Sequence, residues 1–241
     1  MFMIPQKIHY CWFGKGEMPE LVMKCIESWH RFMPDYEYKM WNEENFDVDM
    51  VPYTKEAYES RKYAFVSDYV RLWALEQEGG LYLDTDVEVF KSFDDLLGYK
   101  AFAGFEGSKH LPVGTCVMAS EAHGEWVTEQ LAAYRDRHFI NADGSFDITT
   151  NVQFITANMR GSGFVQEGKE QEYKDLHVFP VEYFSPRHTT GEYIKTGNTY
   201  CDHLGMGTWD DKEGGWKTKI CKIIGQKNMT RLIKLKRGIL G

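Results

Sequence analysis

The chain has 241 residues, of which 43% are hydrophobic, 15% aromatic and 27% charged. That length suits one large domain, or one domain with an appendage, and seven Pro and 22 Gly exclude a collagen-like or disordered chain. A formal charge of −8 speaks against a general nucleic-acid binder.

The charge is unevenly spread. Between Gly214 and the C-terminus lie Lys217, Lys219, Lys222, Lys227, Arg231, Lys234, Lys236 and Arg237, and no acid. The tail therefore carries +8 and the remainder, by difference, −16. Five cysteines form no C-x-x-C pair, so the sequence speaks for reduced thiols in a cytoplasmic protein and against a zinc site. The N-terminal residues lack the apolar run of a signal peptide, and no 18-residue apolar stretch occurs anywhere. Fifteen Phe, 14 Tyr and seven Trp are many for a purely structural domain, since flat rings also line sugar and base pockets.

In chain order, residues 4–13 read as a strand that ends at Gly14-Lys15-Gly16. Pro19 opens a helix whose apolar positions Leu21, Val22, Cys25, Ile26 and Trp29 keep the helical period, and Pro34 ends it. Residues 36–41 read as a second strand, which makes strand–helix–strand, the opening of a parallel α/β sheet. Residues 63–78 form the clearest helix, with Gly79-Gly80 as its stop. One strand is expected over 81–90, further strands over 101–106 and 113–119, and helices over 124–138 and 151–159. Residues 161–216 read as loop-rich, with short strands.

The segment that carries chemistry is Asp84-Thr85-Asp86, with Glu88 beyond it. On a continuous strand alternate side chains share a face, so the three acids would project together. Neighbouring carboxylates repel unless a cation lies between them, and hard oxygen ligands favour Mg²⁺ or Mn²⁺, a frequent carrier of diphosphate. The plain alternative is an edge strand with solvated acids. The position of the pair, after an apolar run, favours the metal reading, because open α/β sheets bind ligands beyond the carboxyl ends of their strands. Asp68 and Arg71 share a helix face just upstream, either as an intrahelical ion pair or as partners for sugar hydroxyls and phosphate.

The run Ser67-Asp68-x-x-Arg71, then Gly79-Gly80-Leu-Tyr-Leu-Asp84-Thr-Asp86, resembles the sugar-transferase region of the family-32 glycosyltransferases. That family is similar to yeast-type α-mannosyltransferases and to the catalytic domains of clostridial glucosylating toxins. The opening Ile4-Pro-x-Lys-Ile-His9-Tyr-Cys-Trp12-Phe-Gly14 and the run Pro34-Asp-Tyr-Glu-Tyr-x-x-Trp41-Asn42 resemble it too, and matches continue in order to Trp209. The resemblance implies an α/β fold of the GT-A type, a single Rossmann-like mixed sheet flanked by helices. Residues 1–213 would be the catalytic domain and 214–241 a basic amphipathic helical segment.

By the same resemblance Trp12 would stack on the nucleotide base, and Ser67, Asp68 and Arg71 would line the donor sugar. Asp84 would contact ribose and a metal-bound water, and Asp86 would ligate Mn²⁺ or Mg²⁺. The late run His203-Leu-Gly-Met-Gly-Thr208-Trp209 resembles the loop that closes on the diphosphate, with His203 as metal ligand, Thr208 as phosphate donor and Trp209 as lid. Leu204 stands where the family often has a second His. Asp84, Asp86 and Arg71 would be the catalytic set, and the reaction a retaining transfer of a hexose from a nucleotide sugar, UDP-linked by this reading, to a glycan or lipid-linked acceptor. Bacterial members suggest capsule, lipopolysaccharide or other surface-glycan synthesis.

Three questions stay open at this level. Thr149-Thr150-Asn151-Val152-Gln153 either places an amide near the anomeric carbon or caps a helix. The basic tail either rests on an anionic membrane surface, for a peripheral place on the cytoplasmic membrane, or docks on the acidic body. The apolar strand with D-x-D also resembles the nucleophile strand of haloacid-dehalogenase-type phosphatases, with Asp84 attacking phosphorus, although that motif normally opens its chain. A non-enzymatic carbohydrate-binding protein on a transferase fold is the remaining alternative.

Overall fold

Segments of period two and period 3.6 assemble here into one mixed sheet with packed layers on both faces. The computed structural model describes residues 3–107, 111–187 and 192–205. The elements, in order, are β1 (Lys7–Cys11), α1 (Glu20–Phe32), β2 (Glu37–Trp41), α2 (Pro52–Glu59), α3 (Tyr63–Glu78), β3 (Gly80–Leu83), β4 (Val87–Val89), β5 (Ala101–Phe105), β6 (Val113–Ser120), α4 (Glu125–Ala132), α5 (Asn151–Gly161), β7 (Gln171–Tyr173), β8 (Leu176–Phe179) and β9 (Cys201–His203).

Seven strands form the main sheet in the order β2-β1-β3-β6-β5-β8-β7. β1 runs parallel to β2 and β3, whereas β6 is antiparallel to both of its neighbours. The α/β sheet expected from the sequence is thus present, with β2, β1 and β3 parallel on one side and β5 parallel to β8 on the other. Alternation divides the core in two. Tyr82 packs on the face covered by α3, with Leu72 and Leu75, while Leu81 and Leu83 pack on the other face with Trp29 of α1.

α3 is buried nearly all round, and even Asp68 and Arg71 are enclosed. It passes into β3 without a loop. Gly79 and Gly80 take φ of +64° and +109°, and a Cβ on Gly80 would lie 2.6 Å from the Lys7 carbonyl oxygen. Only glycine meets both demands. Beside this junction, His9 is fully buried; its Nε2 donates to the Gly79 carbonyl (2.8 Å) and its Nδ1 accepts from Trp41 Nε1 (3.1 Å). Burial pushes its pKa down to about 4, so the ring is a neutral structural bridge.

The structure corrects several expectations. The strand expected over 81–90 is two strands in two sheets: β3 belongs to the main sheet, and β4 pairs antiparallel with β9. A turn at 84–87 separates them, closed by Val87 N–H to Asp84 O (3.0 Å). Asp is favoured at the first position of such a turn, which is why the acidic motif bends the chain instead of extending it. The helix expected over 124–138 ends at Ala132, and α2 is an element the period did not single out. α1 covers the outer edge of β4, with Trp29 Nε1 donating to Val87 O (2.7 Å) and Val89 N donating to Ser28 Oγ (2.9 Å). The boundary expected at 213/214 lies outside the described residues.

Gly80→Ala is expected to cost about 2 kcal/mol or more, through strained φ and contact with the Lys7 carbonyl. Urea unfolding of the variant against the parent chain measures it.

Candidate functional site

Strand β3 delivers its carboxyl end to the middle of the sheet, and Asp84 continues the ladder by one bond, its N–H donating to Cys116 O (2.9 Å). Asp84 has the parity of Tyr82, so it faces α3. The turn through Thr85 then carries Asp86 back toward the same space. His203 enters from β9, opposite Val87, and its Nε2 lies 3.2 Å from Asp86 Oδ1. One ligand atom from each of Asp84, Asp86 and His203 falls within 4.8 Å of the others.

Glu88 does not join them. Val87 and Val89 of β4 are buried, so Glu88 points to solvent, opposite Asp202 in the register. Asp202 itself is held by Arg187, with Nε to Oδ1 at 2.8 Å and Nη2 to Oδ2 at 2.6 Å. The convergence expected from simple alternation therefore holds for Asp84 and Asp86 by way of a turn, and fails for Glu88.

Arg71 organises the rest. Its Nη2 meets both Asp68 Oδ1 (3.1 Å) and Asp84 Oδ1 (3.2 Å), its Nη1 donates to Thr115 O (2.9 Å), and its Nε donates to Ser67 O (3.2 Å). The guanidinium also lies 4.7 Å from the Tyr82 ring centre. Tyr82 OH donates to the same Asp84 Oδ1 (3.1 Å), so the partners of Asp84 fall on one oxygen, and among the described residues Oδ2 takes none. Asp84 is thereby oriented with an oxygen to spare.

Burial and neighbouring charges compete here. Burial pushes the Asp68 carboxyl up to about 7, against the pull of Arg71 and with repulsion from Asp84. For His203, burial works against protonation, but Cys116 and Asp86 outweigh it and raise the pKa well above the ordinary value. A cation among Asp84, Asp86 and His203 would displace that proton. Two carboxylates and one imidazole fit Mn²⁺ or Mg²⁺, with further positions left for phosphate or water.

The other expected residues fall around this end. The parallel register of β1 with β3 sets Cys11 level with Asp84, so Trp12 sits just beyond the carboxyl end of β1. It is half-buried, and its Nε1 donates to Gly16 O (2.6 Å). Ser67 Oγ donates to Tyr63 O (3.2 Å) on its own helix. Thr208 and Trp209 lie outside the described residues. At the start of α5 the capping alternative is realised: Thr150 Oγ1 accepts from Gln153 N (3.4 Å), and Gln153 Oε1 accepts from Thr150 N (3.3 Å). Asn151 is buried, with Nδ2 donating to Asp68 O (3.0 Å) and Oδ1 accepting from Tyr134 OH (3.4 Å).

Two site residues escaped sequence reasoning. Glu106, at the end of β5, and Cys116, on β6, have ligand atoms within 4.8 Å of each other and of His203. The only local hint was an acid directly after five buried strand residues. A separate concavity lined by Tyr99, Glu172 and Lys174 lies at the opposite end of the sheet, remote from this chemistry.

Residues 19–103 match the family described as "Glycosyltransferase sugar-binding region containing DXD motif", which bears out the resemblance read from the sequence. The chain is 36% identical over 103 residues to inositol phosphoceramide mannosyltransferase 3 of Schizosaccharomyces pombe, a match covering 41% of this chain and 29% of that protein. It is 26% identical over 178 residues to subversion of eukaryotic traffic protein A of Legionella pneumophila, covering 61% of this chain and 27% of the relative. The chain thus spans less than a third of the length of either. Among solved structures, the PaToxG glycosyltransferase aligns at 14% identity and a TM-score of 0.48, over 66% of this chain and 69% of that one.

Removing Arg71 would leave Asp84 and Asp68 facing each other unpaired. Arg71→Met is expected to destabilise the fold by about 3–5 kcal/mol in chemical denaturation. Asp68 behaves oppositely. The native state retains its proton between pH 3.8 and about 7, where the unfolded chain releases it, so Asp68 weakens the fold as pH rises through that window. The stability of Asp68→Asn relative to the parent chain should therefore grow from pH 4 to pH 7, measured by urea unfolding at both.

Proposed function

We propose that this chain, which carries a DXD-containing glycosyltransferase sugar-binding region over residues 19–103, is a metal-dependent, retaining transferase of the GT-A type. It moves a hexose from a nucleotide sugar to a glycan or glycolipid acceptor. The observation that carries this reading is the convergence of Asp84, Asp86 and His203 beside Arg71, at the carboxyl end of the parallel strands.

Asp86 and His203 would hold the divalent cation, with the spare oxygen of Asp84 directed to a water on the cation or to ribose. Bound there, the cation neutralises charge that develops on the departing diphosphate. Arg71 keeps Asp84 in place and presents its own guanidinium edge to the donor. Asp68, whose carboxyl burial pushes up to about 7, can donate to sugar hydroxyls when protonated and accept from them when ionised. Trp12 offers a flat face to the base, and Thr208 and Trp209 would close on the phosphates. Breaking the sugar–phosphate bond releases nucleoside diphosphate, and an acceptor hydroxyl takes the sugar with its anomeric configuration kept.

The name of the fission-yeast relative supports mannose as the first donor sugar to try and a lipid-borne acceptor as the first acceptor class. Such an acceptor suits a peripheral membrane position for the basic tail. Among the described residues, no helix is long and apolar enough to cross a membrane. Synthesis of a bacterial surface glycan is the setting we infer. The phosphatase alternative loses ground on context, because two strands and three helices precede β3, the strand that leads into Asp84.

The test is a panel of UDP- and GDP-hexoses with Mn²⁺, scored for release of free nucleoside diphosphate. Release is expected with at least one donor. It should be lost on adding EDTA, restored by excess Mn²⁺, and reduced at least 100-fold in Asp86→Ala, of the order found for losing a charge-stabilising group. Full activity under chelation would refute the metal-dependent mechanism. An aspartyl-phosphate trapped on Asp84 would decide for the phosphatase.

A further inference from the structure

His203 is shared by two sets of ligands. One set is the oxygens of Asp84 and Asp86, and the other is Glu106 and Cys116. Each set, with His203, places three ligand atoms within 4.8 Å of one another. The sets differ in chemistry. Two carboxylates suit a hard ion, whereas thiolate, imidazole and a single carboxylate suit a borderline ion that takes tetrahedral coordination.

We propose that Glu106, Cys116 and His203 form a binding site for Zn²⁺, distinct from the hard-ion site and competing with it for the one imidazole. In a tetrahedral zinc site, bonds of about 2.0–2.3 Å put neighbouring ligand atoms roughly 3.3–3.7 Å apart. From a spread within 4.8 Å, side-chain rotations that bring the atoms together by about 1 Å suffice. The surroundings are arranged for it. Gly114 has no side chain, and a Cβ there would lie 3.1 Å from Glu106 Oε2, so the carboxylate occupies room that glycine leaves open. Cys116 is buried, yet its sulfur faces the Ser185 hydroxyl (3.6 Å) as well as apolar neighbours. The His203 side chain is 30% exposed and supplies the way in.

Binding replaces the thiol proton of Cys116 and any proton on His203 with the metal, and those protons leave to solvent. A fourth position remains for water. The consequence is inhibition: zinc on Glu106 and Cys116 draws His203 away from Asp86, and occupation of the hard-ion site draws it back. No C-x-x-C spacing announces the site, because Glu106 follows β5, Cys116 lies on β6 and His203 on β9.

The test uses Co²⁺ as a spectroscopic stand-in for zinc on the full chain, and its readout does not depend on transferase activity. One equivalent of Co²⁺ should give the near-ultraviolet thiolate-to-cobalt charge-transfer band, abolished by stoichiometric Zn²⁺ and untouched by Mg²⁺ at the same concentration. Cys116→Ser should remove the band. Glu106→Gln, which keeps the thiol, should keep the band but weaken Zn²⁺ affinity by at least the ~10–100-fold that loss of an outer partner costs. A control melt of each variant excludes misfolding as the cause. Absence of the band, its survival in Cys116→Ser, or unchanged affinity in Glu106→Gln would each overturn the proposal. If the band appears and no nucleotide sugar is turned over, the zinc site stands while the transferase reading fails.

Discussion

The buried guanidinium of Arg71 is the constraint around which this molecule is arranged. α3 is enclosed nearly all round, so a charge on it must be paired inside the protein. Arg71 reaches two carboxylates and two backbone carbonyls and lies over the Tyr82 ring. The contacts with Asp68 and Ser67 lie within α3, and the other three tie the helix to different parts of the sheet. Thr115 belongs to β6, Tyr82 to β3 and Asp84 to the turn that follows β3. A cation in this position also allows Asp84 to stay close to buried Asp68, which alone would repel it.

Geometry downstream of Arg71 follows from how β3 ends. The glycine pair joins α3 directly to β3, so the four-residue strand is aligned by the helix and not by a loop. The turn at Asp84–Val87 then moves the chain from one sheet to another. Had the strand continued, Asp86 would lie farther along the sheet and His203 would have no strand to pair with. The transfer to the small sheet puts Val87 opposite His203 and so places an imidazole beside Asp86. One imidazole then lies within reach of both hard and soft ligands, which is the basis for a competition between ions.

Much of this was legible in the sequence where the signal is local. The helix read over 63–78 coincides with α3, because an unbroken apolar period is closed by Gly79-Gly80. The strand–helix–strand opening, with Pro19 and Pro34 around α1, is equally plain. Asp68, Arg71, Asp84, Asp86 and His203 were all named from motif and resemblance, and the fold brings them together. Glu88 was misplaced because alternation presumes a strand that does not turn, and the acidic residues themselves favour the turn. Glu106 and Cys116 were missed because a single Glu after an apolar strand and an isolated Cys carry no spacing signal.

The sequence by itself determined the periods, the stops and the chemical kind of the central motif: two carboxylates after a buried strand, upstream of a basic tail. Such properties depend on neighbours within a few residues, where side-chain period and backbone φ act. Only the tertiary structure decided which strands pair, and hence that residues around 87 and 203 lie side by side and that Glu106 and Cys116 face the same imidazole. Strand pairing is selected by burial summed over the whole sheet. No local pattern contains that sum, so the ligand set around His203 exists only once the sheet is assembled.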